Sequence, residues 1–473
     1  MHYLAMKSLV LQLAFCVAPL FAASVNKRYS AEKNGVLYNV FEHAATGSRL
    51  EFVKDSGICE TTPNVTQYSG YLTVGDNMNM FFWFFEARNE PATAPLVAWF
   101  NGGPGGSSLN ALFRSNGPCQ FYDGSDTPSL NPNSFNEYAN MIYIDQPIGV
   151  GFSYGSACCD STDTAAIYVW NLIQAFYDNF PEYESRDFAI FAQSYGGRYG
   201  PLFANRILEQ NVAVEDGTVE GEHVNLVTLA MNDGLYNMTE WYIGLIEYSY
   251  SNPYRQLIDD SFRDELYDYY RETCLPALEI CYSTDDDDDC YSADSQCKRL
   301  LSNIQAENNF DFESYDIRPN ATIAPDTYAD YLSRQDVKDA IGARGDFVPL
   351  SNAVYNNLTE AGDWVRPSAA IIPSVLEAGV RVLMWTGDAD WICSWEANSR
   401  EADAVVWDGQ AEFQSATLEP YTVDGTERGT FKTVDNFSYM RVYEAGHDMS
   451  FYQGDLTLQV LRQIVGEGQI KPT

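Results

Sequence analysis

The sequence predicts an α/β protein with a mostly parallel central sheet, helices on both faces and one inserted segment. Three observations carry that expectation. First, near-continuous apolar runs recur with helical segments between them: PLVAWF (95–100), NMIYID (140–145), DFAIFAQ (187–193), VNLVTLAM (224–231), VRVLMW (380–385) and FSYMRVY (437–443). Strands apolar along their whole length suit a parallel sheet covered by helices. Second, SRLEFVK (48–54) and QYSGYLTVGDNMNMFFWFFEA (67–87) alternate more and precede the apolar runs, which predicts antiparallel strands at a sheet edge. Third, the texture between Tyr236 and Tyr331 becomes rich in Tyr, Asp and Cys with weak periodicity, and helix–strand alternation resumes at SRQDVKDAIGA and PSAAIIPSVLEAGVRVLMW. Residues 24–473 therefore read as a single domain, with 236–331 a cap emerging from the sheet rather than an independent unit.

The chain's 473 residues are 45% hydrophobic, ample for a large core. Its start, MHYLAMKSLVLQLAFCVAPLFAAS, sets Lys7 before an apolar run that ends in small residues. That is the layout of a secretory signal peptide, assigned to about residues 1–23, and no other stretch is apolar over the length of a membrane span. Sequons at Asn64, Asn237, Asn320, Asn357 and Asn436 agree with export and mark candidate glycosylation sites. Ten cysteines include Cys16 in the signal, so the mature chain holds an odd number and at least one unpaired thiol. Cys274, Cys281, Cys290 and Cys297 read as a local disulfide cluster, since neither CxxC spacing nor a nearby histidine supports zinc. No metal or cofactor is expected.

A formal charge of -38 argues against nucleic acid, which demands clustered Lys and Arg. The run Asp285 to Asp289 lacks the spacing and central glycine of a calcium loop and reads as a solvated loop.

The chemistry centres on FAQSYGGRYG (191–200). Small-x-Ser-x-small between a strand and a helix is the nucleophile elbow, whose sharp turn excludes bulky flanking side chains, and Ala192 and Gly196 meet that demand around Ser194. Serine needs a base. Of the four histidines, His2 falls in the signal, His43 precedes the sheet and His223 sits before a strand, at the wrong end for an α/β active site. His447 follows the strand FSYMRVY in the loop EAGHDMS, at the carboxyl edge where such sites form. An acid to orient it is offered by Asp388 or Asp390 after VRVLMWTG, and position alone does not separate them. Ser, Asp, His is the chain order of an α/β-hydrolase. The loop NGGPGGSS after PLVAWF brings backbone N–H groups toward an oxyanion, but it fails as a phosphate loop because no Lys follows.

WFNGGPGGSSL (99–109), NGPCQF (116–121), IDQPIGVGFSYG (144–155), QSYGGRYGP (193–201), GDADWIC (387–393) and EAGH (444–447) together closely resemble the serine carboxypeptidases, above all secreted fungal ones, over roughly residues 40 to 465. The resemblance implies Ser194 as nucleophile, His447 as base, Asp390 as its orienting acid, and the backbone N–H groups of Gly103 and Tyr195 as oxyanion donors. It also implies that Cys393 is the free cysteine. In the family an asparagine and two proton-sharing glutamic acids hold the substrate's terminal carboxylate. Asn101 matches the first, but the glutamic acids are replaced by Gln193 and Ser115, and Asp448 after the histidine adds an acidic wall near the leaving-group pocket. A glutamic acid donates to a carboxylate only while protonated, whereas Gln193 donates at any pH. Where the family has a cysteine in its glycine motif this chain has Gly106, so one family disulfide is expected to be lost or rewired.

The expected function is that of a serine-type carboxypeptidase, secreted or routed through the secretory pathway to the vacuole or cell wall, releasing C-terminal residues from peptides through an acyl-enzyme. Substitutions at the carboxylate-binding positions keep open a triad-dependent esterase, amidase or acyltransferase acting on a small acyl substrate, and behind it a non-catalytic binding protein.

Overall fold

The computed structural model describes residues 27–33, 35–42, 49–122 and 124–473; the expected signal segment, His2 and His43 lie outside them. The polypeptide opens with β1 (Lys27–Lys33), β2 (Val36–Glu42), β3 (Arg49–Lys54), β4 (Gln67–Gly75) and β5 (Met78–Phe85). These pair antiparallel in sequence order. The apolar runs follow as β6 (Leu96–Asn101), β7 (Asn140–Ile144), β8 (Phe188–Gln193), β9 (Leu226–Asn232) and β10 (Arg381–Gly387). After them come β11 (Glu419–Val423), β12 (Thr426–Val434) and β13 (Phe437–Val442).

In space the strands run β1-β2-β3-β4-β5-β7-β6-β8-β9-β10-β13-β12-β11. The stretch β7-β6-β8-β9-β10-β13 is parallel throughout, flanked by antiparallel strands on both sides. This is the α/β-hydrolase arrangement the sequence predicts. The carboxyl ends of β6, β8, β10 and β13 leave the same edge, which gathers the loops carrying the candidate site residues.

Every residue of β7 and β8 is buried, as continuous apolar strands require. One face packs under α2 (Thr162–Asn179) and α3 (Gly196–Glu215), with Phe176, Tyr199 and Phe203 in its core. The other buries Trp83, Trp99 and Phe191 against α1 (Leu109–Arg114) and the C-terminal helix Gly454–Arg462.

The segment 236–331 is helical for most of its length, as α4 (Met238–Tyr250), α5 (Asp260–Tyr269), α6 (Leu275–Thr284) and α7 (Asp287–Glu307). It has an apolar cluster of its own, which also takes in Trp391 and Cys393. Trp241 Nε1 donates to the Ile392 carbonyl at 2.9 Å, and the Tyr248 hydroxyl to that of Asp388 at 2.5 Å.

The acidic run is largely solvated, as expected, but Asp287 to Asp289 begin a helix instead of lying in a loop. Asp286 caps α7 by accepting from the N–H groups of Asp288 and Asp289, and Asp287, Asp288 and Asp289 fill the first turn, where the helix dipole favours anions. Arg366 ties the run down through Asp285 and Asp287, both at 2.7 Å. The cysteine cluster closes as nested bridges, Cys274–Cys297 and Cys281–Cys290, joining α6 and the residue just before it to α7. Cys59 bonds Cys119, and the adjacent Cys158 and Cys159 bond each other. Cys393 is free and buried.

Among the described residues no helix is long and apolar enough to cross a membrane. Asn64, Asn320 and Asn357 are exposed and Asn237 half-buried. Asn436 departs from the expectation for a glycan acceptor, because its Nδ2, the atom a glycan would take, donates to the carbonyls of Leu376 and Val380 at 3.0 and 2.7 Å.

Candidate active site

β8 ends at Gln193 and α3 begins at Gly196, so Ser194 and Tyr195 make the whole turn. Ser194 sits at φ 63°, a left-handed conformation that a non-glycine residue adopts only where its surroundings enforce it. The demand for small flanking residues is visible directly. A Cβ on Gly196 would stand 2.8 Å from the Cβ of Ala192, below any normal contact. The glycine loop after β6 presses on this turn from the other side, since a Cβ on Gly102 would meet the Tyr195 nitrogen at 2.4 Å.

The two neighbouring parallel strands β10 and β13 lead into the loops of Asp390 and His447. Their loops are stitched together by backbone hydrogen bonds from Asp388 N to Val442 O and from Ala389 N to Ala445 O, each 2.8 Å. Asp390 Oδ2 lies 2.5 Å from His447 Nδ1, and Oδ1 accepts from the Cys393 N–H at 3.1 Å. The ring of Tyr315 packs on the imidazole with centroids 4.8 Å apart.

Burial alone would lower the His447 pKa. The charge and hydrogen bond of Asp390 override it, with Asp233 and Asp448 adding to them, so the imidazole is held above its ordinary value. Asp388, the alternative that position left open, faces elsewhere. Its carboxylate accepts from Tyr254 at 2.5 Å and from the Glu444 N–H at 2.8 Å, and pairs with Arg441 at 2.9 Å.

A cavity of about 660 Å³ opens over this edge, lined among others by Asn101, Gly103, Arg114, Gln193, Ser194, Tyr315, His447 and Asp448. Asn101 and Gln193 are register partners on adjacent parallel strands. Asn101 Nδ2 donates to Gln193 Oε1 at 3.0 Å, and Gln193 Nε2 donates to the His447 carbonyl at 2.7 Å. Gln193 thus spends part of its donor capacity on the His447 loop.

Ser115, expected at the substrate, is only 2% exposed and is absent from the cavity lining. It caps the C-terminus of α1, where its carbonyl accepts from Gln120 at 2.6 Å. The residue before it, Arg114, takes the cavity position instead. No motif in the sequence marks Arg114.

Two further carboxylates support the site, Asp145 within the stretch IDQPIGVGFSYG and Asp363 outside every quoted motif. Asp145, fully buried, accepts from the Ser107 hydroxyl at 2.5 Å and from the N–H groups of Ser108 and Phe152 at 3.1 and 3.0 Å, bracing the glycine loop from behind. Burial pushes its carboxyl up to about 7. Asp363 lies under the elbow. It accepts from the Tyr195 hydroxyl, from Thr162 Oγ1 at 2.6 Å and from Arg198 Nε and Nη2 at 3.0 and 3.1 Å.

Burial would raise the Asp363 pKa, yet Arg198 and these donors hold it below the usual carboxylate range. Its stabilising contribution is therefore present above the ordinary carboxylate pKa and is lost only as the pH falls through the depressed value. Asp363→Ala leaves Arg198 buried and unpaired, and should destabilise the protein by about 3–5 kcal/mol. That effect would register as a lower urea midpoint with an unchanged slope.

Asp390, Cys393 and His447 place metal-ligand atom types within 4.8 Å of one another, but the acid and the imidazole are already committed to each other. Burial, with the charges of Asp390 and Asp233, pushes the Cys393 thiol well up, so it stays protonated.

The family model described as serine carboxypeptidase matches residues 57–467. The chain is 54% identical over 424 residues to carboxypeptidase S1 of Penicillium janthinellum, covering 89% of this chain and 100% of that protein. It is 32% identical over 425 residues to carboxypeptidase Y homolog A of Aspergillus oryzae, covering 85% and 75%. Among solved structures, the prohormone-processing carboxypeptidase Kex1 of Saccharomyces cerevisiae superposes with a TM-score of 0.72 at 21% identity, covering 86% of this chain and 92% of that one, a likeness of fold.

Proposed function

The chain belongs to the serine carboxypeptidase family, and from that premise we propose how its residues perform the reaction. Ser194 Oγ attacks the carbonyl of the last peptide bond while His447 Nε2 takes the hydroxyl proton. Asp390 fixes the proton on Nδ1 and stabilises the imidazolium that forms. Negative charge on the carbonyl oxygen is received by the N–H groups of Gly103 and Tyr195. Collapse of the tetrahedral species breaks the C–N bond, and the proton on His447 passes to the departing amino group. Water, deprotonated by the same imidazole, then releases the shortened peptide from Ser194.

The observation that carries this assignment is the 2.5 Å contact of Asp390 with His447 Nδ1 over a cavity that Ser194 also lines. The leader-like start, the cysteine pairing and the exposed Asn64, Asn320 and Asn357 support export and glycosylation.

Matched peptides with free and amidated C-termini test the exopeptidase reading. The free acid is expected to be turned over with the higher kcat/KM. Equal rates would exclude selection for a terminal carboxylate and favour the esterase or amidase reading.

A further inference from the structure

The cavity must offer a terminal carboxylate a counter-charge or a set of neutral donors. Neutral donors line it too, Asn110, Tyr315, Tyr328 and Tyr452 among them, but none carries a charge and the amides are partly committed, Asn110 Nδ2 donating to the Tyr328 hydroxyl at 3.1 Å. Each carboxamide has two N–H groups; Asn101 gives one to Gln193, Gln193 gives one to the His447 carbonyl, and Ser115 is off the cavity. The only arginine or lysine in the lining is Arg114, which faces Glu313, Asp326 and Asp448 across the same space.

Arg114 is held by partners of unequal strength. Nη2 pairs with Asp448 at 3.0 Å, and the side chain of Asp448 is 13% exposed. Nη1 contacts Asp326, whose side chain is 79% exposed and therefore exchanges readily with solvent. Arg114 Nε is buried without a hydrogen-bond partner among the described residues. A guanidinium presents five donors in a planar fork that matches a carboxylate; Nε is out of a substrate's reach, and the Nη1 edge that the exposed Asp326 holds is the one a carboxylate can take.

Resting on the carboxypeptidase reading, we infer that Arg114 is the specificity residue that receives the substrate's terminal carboxylate. The substrate displaces Asp326, while Asp448 keeps the guanidinium in place. A permanent cation thereby does the task that proton-sharing glutamic acids perform elsewhere in the family.

One consequence separates the two devices. Arginine stays charged at any working pH, whereas the facing carboxyls of Glu313, Asp326 and Asp448 could donate only in acid. The phenols of Tyr328 and Tyr452, which also face Arg114, are held protonated by burial. The preference for free acid over amide should therefore persist from about pH 4 to about pH 7, through and beyond the ordinary side-chain carboxylate range.

The test measures the ratio of kcat/KM for matched free-acid and amidated peptides in the wild type, Arg114→Gln and Arg114→Lys, after thermal unfolding has shown each variant folded. The glutamine variant should lose about tenfold to a hundredfold in that ratio, chiefly through KM. Lysine, a point charge without the fork, should recover part of it. An Arg114→Gln ratio equal to wild type overturns the inference and leaves the exopeptidase reading standing, as does a wild-type ratio that collapses between the two pH values. A wild type with no preference at either pH removes both. If the glutamine variant does not fold, the lysine variant and the wild-type pH series decide.

Discussion

Ser194→Ala should lower kcat about a million-fold while substrate still binds and the protein keeps its unfolding midpoint. The size follows from what remains. The glycine loop and the N–H at the start of α3 still polarise the carbonyl, but no oxygen stands where attack begins. Alanine inherits the left-handed φ of 63° and adds no bulk beside Ala192 or Gly196, so the turn itself should survive. Covalent labelling by a fluorophosphonate should vanish in parallel. Substantial turnover by a folded Ser194→Ala protein would move the nucleophile elsewhere.

Asp390→Asn should cost about ten-thousand-fold in kcat at nearly unchanged geometry. Asp390 Oδ1 accepts from the Cys393 N–H, so an asparagine would turn its carbonyl to that donor and its NH₂ toward His447 Nδ1. The imidazole would then carry its proton on Nε2, the atom that must accept from Ser194. Loss of the negative charge also removes the main influence raising the imidazole pKa against burial. The acidic limb of kcat/KM, which reports deprotonation of His447, should therefore move to lower pH in the variant. A limb that stays in place, or a fall in kcat no larger than that of Asp388→Asn, would argue against this pairing. Asp388 provides the contrast because it braces Arg441, Tyr254 and Glu444 and does not touch the histidine.

Much of this was legible in the sequence because it depends on local rules. Parallel strands that must be apolar on both faces advertise themselves, and the turn at Ser194 needs small neighbours whatever the rest of the chain does. What escaped depends on direction and distance. Nothing in FRSNGP says that Arg114 points into the cavity and Ser115 away from it, because that is decided by where α1 ends. The partner of Arg198 is Asp363, 165 residues away, a separation no motif spans. Asp285 to Asp289 are largely solvent-exposed, as the charge run suggests, but that Asp287 to Asp289 open a helix was hidden because the dipole that accommodates them exists only once α7 forms. The hairpin of β11 and β12, which lies outside the helix–strand alternation that marks the fold, turns at Asp424–Gly425, both with positive φ as a two-residue turn requires.

The apolar cluster under segment 236–331 is shared with Trp391 and Cys393, and α4 is pinned to the Asp390 loop through Trp241 and Tyr248. A lid that swung open would have to drag the loop of Asp390 with it. The segment is better understood as a buttress than as a door, with substrates entering past a standing wall. Mutations that loosen its helices should then be felt as lost turnover before they are felt as altered access.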